Sequence, residues 1–396
     1  MRYRLLIISV LITVFIALAG CSAQKTTTST VTASGTTTSA STATTTSTSV
    51  VTTVVSSPDA VANIETTLES IFNRVNPSVV LIQVNIPPSV ASPGGAALGS
   101  GFVWDTQGNI VTNDHVVNGA TGITVTLYDG TTVNATMVGE DADSDLAVIK
   151  VDTNGLQLQP VTLADSTTVK VGQWAIAIGN PYGLENTLTA GFVSGIGRLV
   201  PANSNAIGPT YSIPDIIQTD AAINPGNSGG VLLDKTGAVI GVTQSIESAS
   251  GSSSGVGFAI PSAIVQQVVP ALITGGHYDH PYLGISVASV TPDIAGAMNL
   301  PASQRGALVI AVSSGGPADK AGIKAGNQSL TVGGNQINVG GDIIIAFNGQ
   351  IVKSSDNLIS DLAAGEKVGQ NATLTVLRGG QQIQVQVTIG ARPGTG

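Results

Sequence analysis

Apolar and polar positions alternate in short runs along most of this chain. From about residue 66 to 262 the pattern predicts strands separated by turns. "GFVWDTQGNIVTNDHVV" reads as strand, turn and strand, with His115 closing the second strand. "ITVTLYDGTTVNATMVGE" reads as a hairpin turned at Asp129-Gly130. "DLAVIKV", "WAIAIGN", "LTAGFVSGIG", "DIIQTDAA", "GGVLLDKTGAVIGVTQSI" and "GVGFAIP" continue the series. Many short strands at regular spacing predict a sandwich or a pair of barrels, a mainly β fold. "SAIVQQVVPALITGG" breaks the pattern with helical spacing and stops at Gly275-Gly276. After a linker over 276–281, a second and smaller mixed unit is expected from Tyr282 to about Arg392.

Ahead of the strands the chain follows other rules. "MRYRLLIISVLITVFIALAGC" has a basic start, an apolar run and small residues before Cys21, the form of an export signal over residues 1–20. The run is shorter than the ~20 residues a spanning helix needs. "LAGC" resembles the lipobox of bacterial lipoproteins, which makes Cys21 the expected lipid-attachment site and places the rest of the chain outside the cytoplasm. The alternative is a thiol ending an uncleaved anchor helix. Residues 21–58 are then almost all Ser, Thr, Ala and Val; such a segment cannot offset its ordering entropy and reads as a disordered stalk. As a coil it would reach about 35 Å from the anchor.

Composition narrows the classes. A length of 396 residues suits two or three domains, and 42% apolar residues fill their cores. The net charge of −9 with no basic run excludes a nucleic-acid partner. A single cysteine excludes an intramolecular disulfide and a zinc site built on thiolates.

"DAAINPGNSGG" crowds Pro, Asn, Gly and Ser before the apolar run "VLLD". As a plain loop it needs only turn formers. As a catalytic loop it offers Ser228 as nucleophile and backbone N–H groups for an oxyanion. A serine hydroxyl needs a base, and the chain has three histidines. His277 and His280 flank the linker "GGHYDHPYLG" without further metal-ligating residues nearby, and read as polar linker residues. His115, after two polar residues that interrupt an apolar strand, is the candidate base; a structural histidine at a strand end is the alternative. "DADSDLAVIKVD" supplies Asp141, Asp143 and Asp145. A calcium loop would need Gly at Leu146 and Glu at Asp152, so that reading fails. Asp145, at the mouth of a buried strand, is placed to orient an imidazole.

His115, Asp145 and Ser228 follow one another in the order of the chymotrypsin-type triad. "TNDHVV", "DSDLAVIKV", "AIGNPYGL", "QTDAAINPGNSGG" and "GVGFAIP" together resemble the HtrA/Deg family of trypsin-like serine proteases, collinearly over about residues 66–275. The resemblance implies a double β-barrel protease domain over 59–275. It implies Ser228 as nucleophile, His115 as base and then acid, Asp145 as the carboxylate that fixes the tautomer, and an oxyanion hole from the N–H groups of Gly226 and Ser228 around Asn227. It needs neither metal nor cofactor.

"YLGISV", "SGGPADKAGIKAG", "NLISDLAAGEKVG" and "ATLTVLRGGQQIQVQVTI" resemble a PDZ domain, expected over 282–392. Tyr282, Leu283, Gly284 and Ile285 form the loop that in PDZ domains binds a peptide's C-terminal carboxylate, the peptide adding as a strand beside Ile285 and Val287. "NQSLTVGGNQINVGG" departs from that pattern as an insertion. The family layout implies ATP-independent cleavage of unfolded or misfolded envelope proteins, recognition of C-terminal peptides, and a homotrimer or larger assembly with Phe72 at subunit contacts. A chaperone-like binding protein on the same fold, a PDZ that merely packs on the protease, and an adhesion module on a Ser/Thr stalk are the rival readings.

Overall fold

The computed structural model describes residues 58–88, 94–180, 187–201, 212–244 and 255–393. The leader, Cys21 and the stalk lie outside the described residues, and among these no helix is long and apolar enough to cross a membrane. The fold is mainly β, two closed barrels followed by a smaller C-terminal domain built on an antiparallel sheet and short helices.

Helix α1 (Pro58–Val75) leads into the first barrel. Its last turns lay Ile71 and Val75 into the core, with Leu68 and Phe72 half-buried beside them. Arg74 donates to the carbonyl of Thr236, tying the helix end to a turn of the second barrel. The first barrel is β1 (Val79–Ile86), β2 (Gly95–Val103), β3 (Asn109–Thr112), β4 (Gly122–Thr126), β5 (Thr132–Asp141) and β6 (Leu146–Val151), with the helical turn α2 (Asp114–Val117) after β3. Around the barrel the order is β1-β2-β3-β6-β5-β4. The predicted hairpin is β4–β5, and Gly130 supplies its left-handed position at φ 84°.

The second barrel is β7 (Trp174–Gly179), β8 (Thr187–Pro201), β9 (Ser212–Thr219), β10 (Val231–Leu233), β11 (Val239–Gln244) and β12 (Gly257–Pro261), in the order β10-β11-β12-β9-β8-β7. Helix α3 (Ser262–Gly275) follows. It buries Val265, Val268, Val269 and Leu272, one stripe at helical spacing, and ends where Gly276 turns left-handed and caps the carbonyl of Leu272.

Several strands are apolar on both faces, because each face fills a different core. In β6, Ala147, Ile149 and Val151 fill the first barrel, while Leu146 and Val148 point to the seam between barrels. In β7, Ala175 and Ala177 fill the second barrel, while Ile176 and Ile178 meet the same seam. Burying a side chain as large as the fully enclosed Phe102 there stabilises by about 2–3 kcal/mol. The seam is therefore a packed core, and loops ending at it are held from both sides.

The C-terminal domain comprises β13 (Pro281–Tyr282), β14 (Ile285–Ser289), α4 (Pro292–Ala297), β15 (Ala307–Val312), α5 (Pro317–Lys320), β16 (Gln328–Val332), β17 (Asn335–Val339), β18 (Ile343–Phe347), β19 (Gln350–Ile351), α6 (Ser355–Gly365), β20 (Asn371–Arg378), β21 (Gln381–Thr388) and β22 (Gly390–Ala391). Its main sheet runs β14-β15-β18-β20-β21, which makes β14 an edge strand. The insertion in the PDZ pattern is the hairpin β16–β17, whose Leu330, Val332 and Ile337 pack with α4 residues over a small core.

Two expectations need correction. His115 does not close a strand: β3 stops at Thr112, and the base candidate sits on the helical turn α2. His280 is not a polar linker residue: it is 7% exposed, and its Nε2 lies 2.8 and 3.0 Å from the oxygens of Asp141. A buried carboxylate needs a partner, and the linker passes over the one at the end of β5. His277 is exposed, as expected of a linker residue.

Candidate active site

Asn113 caps the turn after β3, and its side-chain amide donates to the carbonyl of Asp145 at 2.8 Å. That bond brings the β3 end to the loop between β5 and β6. Asp145 stands in the left-handed region at φ 54°, a conformation Asp tolerates better than most residues. Its carboxylate, 2% exposed, accepts from the backbone N–H of His115 at 3.0 Å and lies 2.9 Å from His115 Nδ1 through both oxygens. A carboxylate only accepts, so Nδ1 carries the ring proton and Nε2 of the neutral ring keeps its lone pair. The His115 side chain is 43% exposed.

The three acids of "DADSD" thus part company. Asp141 faces His280 and Ser144, Asp143 pairs with Arg392 at 3.2 Å, and Asp145 holds His115. Among the described residues no group of three or more His, Cys, Asp or Glu side chains is placed to hold a metal ion.

Electrostatics around the imidazole pull in two directions. Burial alone would push its pKa down, but the hydrogen bond to Asp145 and the charges of Asp145 and Asp114 outweigh it and hold it above the ordinary histidine value. Asp114 has a pKa pushed up to about 7, first by burial and then by the neighbouring charges of Asp145 and Glu140, against the bond from Asn118.

Ser228 is 4% exposed in the loop between β9 and β10. Its carbonyl accepts from the Ser100 N–H at 2.7 Å, and Thr112 Oγ1 donates to the Ser100 carbonyl at 2.7 Å. The serine loop is therefore bound to β2, and β2 in turn to the end of β3, three residues before His115. Gly229 makes the close approach possible: a Cβ there would lie 2.1 Å from the Ser100 carbonyl, and its φ is 83°. Gly226 has φ 97°, and the N–H of Asn227 closes a turn on the Asn224 carbonyl at 2.9 Å. The Asn227 carbonyl accepts from Thr243 Oγ1 and from the Gly230 N–H. In a trans peptide C=O and N–H point oppositely, so this inward carbonyl turns the Ser228 N–H to the other side.

Sequence reasoning missed two members of this neighbourhood. Gln244, 5% exposed at the end of β11, donates through Nε2 to Asp145 Oδ2 at 2.9 Å across the seam. Ser100 is fully buried beneath the serine loop. A glutamine at a strand end and a serine between glycines carry no local signal; only the docking of the barrels gives them partners.

In the C-terminal domain Leu283 is buried, while Tyr282 and Ile285 are half-buried. The carbonyls of Leu283 and Gly284 accept from the N–H groups of Ala318 and Ser313 at 2.9 and 2.8 Å. The N–H groups of Gly284 and Ile285, in the same peptides, therefore face the opposite way. Gly284 at φ 77° permits the bend. Beyond it, Ile285 and Val287 of β14 share one apolar cluster with Leu358 and Leu362 of α6.

Comparison with known proteins places this arrangement. Residues 99–242 match the trypsin-like peptidase domain family and residues 281–389 the PDZ domain family. The chain is similar to the solved structure of the HtrA-type protease AlgW with a tripeptide, at 33% identity and a TM-score of 0.67, covering 82% of this chain and 97% of that one. It is 42% identical over 346 residues to the chloroplastic Protease Do-like 1 of Arabidopsis thaliana, covering 85% of this chain and 75% of the relative. The chain belongs to the HtrA/Deg family of serine endoproteases. A probable periplasmic serine endoprotease, DegP-like, of Brucella suis biovar 1 is 42% identical over 300 residues. That match covers 75% of this chain, which spans about half the length, 53%, of that HtrA/Deg relative.

Proposed function

We propose that this chain is an exported, ATP-independent serine endopeptidase that cuts unfolded or misfolded proteins. The observation that carries the reading is the contact of His115 Nδ1 with the Asp145 carboxylate, one short turn beyond β3, which pairs with the strand β2 to which the Ser228 loop is bound. Ser228 Oγ attacks the carbonyl carbon of the scissile peptide while His115 Nε2 takes its proton. Asp145 holds the imidazolium that forms, and the N–H groups of Gly226 and Ser228 flank Asn227 to receive the oxyanion. One donor in such a hole is worth about 3–4 kcal/mol of transition-state stabilisation. The intermediate collapses, His115 returns the proton to the leaving amine, and a water repeats the sequence to free Ser228.

The reading extends to the rest of the chain. The Gly284 and Ile285 N–H groups receive the C-terminal carboxylate of a substrate, and its tail adds to the edge strand β14. Cys21 carries a lipid that holds the protease on the cell envelope, facing the periplasm or the outside; fatty-acid labelling that survives in Cys21→Ser counts against it. The periplasmic naming of a relative supports export. A homotrimer or larger assembly follows from the family layout, with Phe72 of α1 reaching a neighbour.

Ser228→Ala tests the chemistry. The protein is expected to keep its melting temperature, to lose digestion of casein and to lose labelling by a serine-directed phosphonate. Folded Ser228→Ala protein that still cleaves casein overturns the assignment.

A further inference from the structure

Ser100 lies in "GSGF" on β2 with nothing of it exposed. A hydroxyl in such a place costs stability unless it is bonded. Ser100 Oγ donates to the carbonyl of Gly226 at 2.6 Å and accepts from the N–H of Asn180 at 2.8 Å. Its backbone N–H holds the Ser228 carbonyl, and its own carbonyl takes the Thr112 hydroxyl. One residue of the first barrel thus grips the serine loop on both sides of Asn227 and joins it to the loop that follows β7.

The bond to Gly226 has a specific geometric effect. Gly226 lacks a Cβ and stands at φ 97°, so its side chain imposes nothing on the peptides around it. The Gly226–Asn227 peptide is fixed instead at its two ends, the carbonyl by Ser100 Oγ and the N–H by the Asn224 carbonyl. The Gly226 N–H belongs to the preceding Pro225–Gly226 peptide, joined to that plane through the φ and ψ of Gly226, so anchoring the plane restricts the directions left to this N–H. The following peptide is fixed separately, by Thr243 on the Asn227 carbonyl.

We infer that Ser100 is a positioning residue for the oxyanion-binding loop: its hydroxyl, donated across the seam between barrels, aims the Gly226 N–H at the developing charge. The inference rests on the reading of Ser228 as nucleophile. A tether of this kind matters to the transition state and little to ground-state binding, because the substrate carbonyl gains its full negative charge only after attack. Removing the hydroxyl leaves the Gly226–Asn227 peptide held only at its N–H end, while the nucleophile, base and acid remain.

The test uses the full chain with a short peptide substrate and a peptidyl trifluoromethyl ketone, whose hemiketal places a real oxyanion against the loop. Losing a whole donor costs about 100- to 1,000-fold in kcat, so Ser100→Ala, which loses only the tether, is expected to lose about 10- to 100-fold with KM little changed. The Ki of the ketone is expected to rise in step with the fall in kcat/KM. If Ser100→Ala does not fold, Ser100→Cys supplies a similar shape with a weaker donor and is expected to show a smaller loss in the same two quantities. Folded variants that keep kcat and Ki within about twofold overturn the inference, as does a rise in KM with Ki unchanged. Ser228→Ala is measured in parallel. If it is inactive while Ser100→Ala is fully active, only this inference fails; if it remains active, the nucleophile assignment fails with it.

Discussion

Asp114 and Asp145 press on His115 from two sides, but only Asp145 is bonded to the ring. The consequence appears in pH. Burial lifts the Asp114 carboxyl from 3.8 to about 7, so the folded protein binds that proton more tightly than the unfolded chain. Its stabilising contribution is full below the unfolded value, about 3.9, and is lost as pH rises through about 7. Asp114→Asn removes that loss, so its melting temperature is expected to exceed the parent's at pH 8 and the difference to shrink toward pH 4. The same substitution removes a negative charge that holds the His115 pKa up. The rise of kcat/KM with pH, expected above the ordinary histidine range in the parent, therefore moves to lower pH; a limb that stays put refutes the coupling. At this scale, His115, Asp145 and Ser228 could be proposed from the sequence because motif and order single them out, and the structure bonds the first two to each other. Ser100 and Gln244 were not, since their roles arise from partners across the seam, far along the chain.

At the scale of elements, strand alternation and the regularly spaced turns carried most of the architecture, while the double burial of β6 and β7 between two cores emerged only from the fold. What alternation cannot show is which polar residue a linker will bury. His280 sits between α3 and β13, stacks edge-on against Tyr278 at a centroid distance of 4.8 Å, and covers Asp141 at the end of β5. Both side chains of the pair are 8% exposed. Removing one partner leaves the other buried with its main bond lost, a cost of up to about 3–5 kcal/mol for a buried pair, eased for Asp141 by the bond it keeps from Ser144. His280→Leu is expected to cost that much in urea unfolding, and Asp141→Asn in the same chain to restore part of it. Additive losses in the double variant would mean that the two side chains do not interact. The pair also joins the linker to the loop that ends at Asp145, so His280→Leu is expected to lower activity along with stability.

Across the whole molecule, α6 packs on both its own domain and the second barrel. One face shares the apolar cluster with β14, and the helix also packs on β8 and β9 of the second barrel, where Ser360 donates to Asp215 at 2.9 Å. A cavity of about 320 Å³ lies at this junction, lined by Ile196, Asp215 and Ile264 of the protease and by Ala363 and Ala364 of α6. Deleting the PDZ domain would bare that surface, so a point change is the cleaner probe. Ile285→Lys places a charge beside the proposed tail site, and is expected to abolish binding of apolar-tailed peptides by fluorescence anisotropy. It is also expected to slow digestion of unfolded protein more than that of a short peptide; equal rates for both would leave the domain a structural prop. The domain was legible from its loop and repeats of apolar strands, whereas its docking on β8 and β9 depends on surfaces that no local pattern marks. The split of the proposed catalytic groups between barrels has a consequence in time. A chain delivered N-terminus first presents His115 and Asp145 while Ser228 and Gln244 are still to come. Until β11 closes on the first half, Asp145 lacks one of its donors and the serine loop has no Ser100 to lie against. Under the proposed chemistry, the order of synthesis keeps the newborn protease silent until its last barrel is shut.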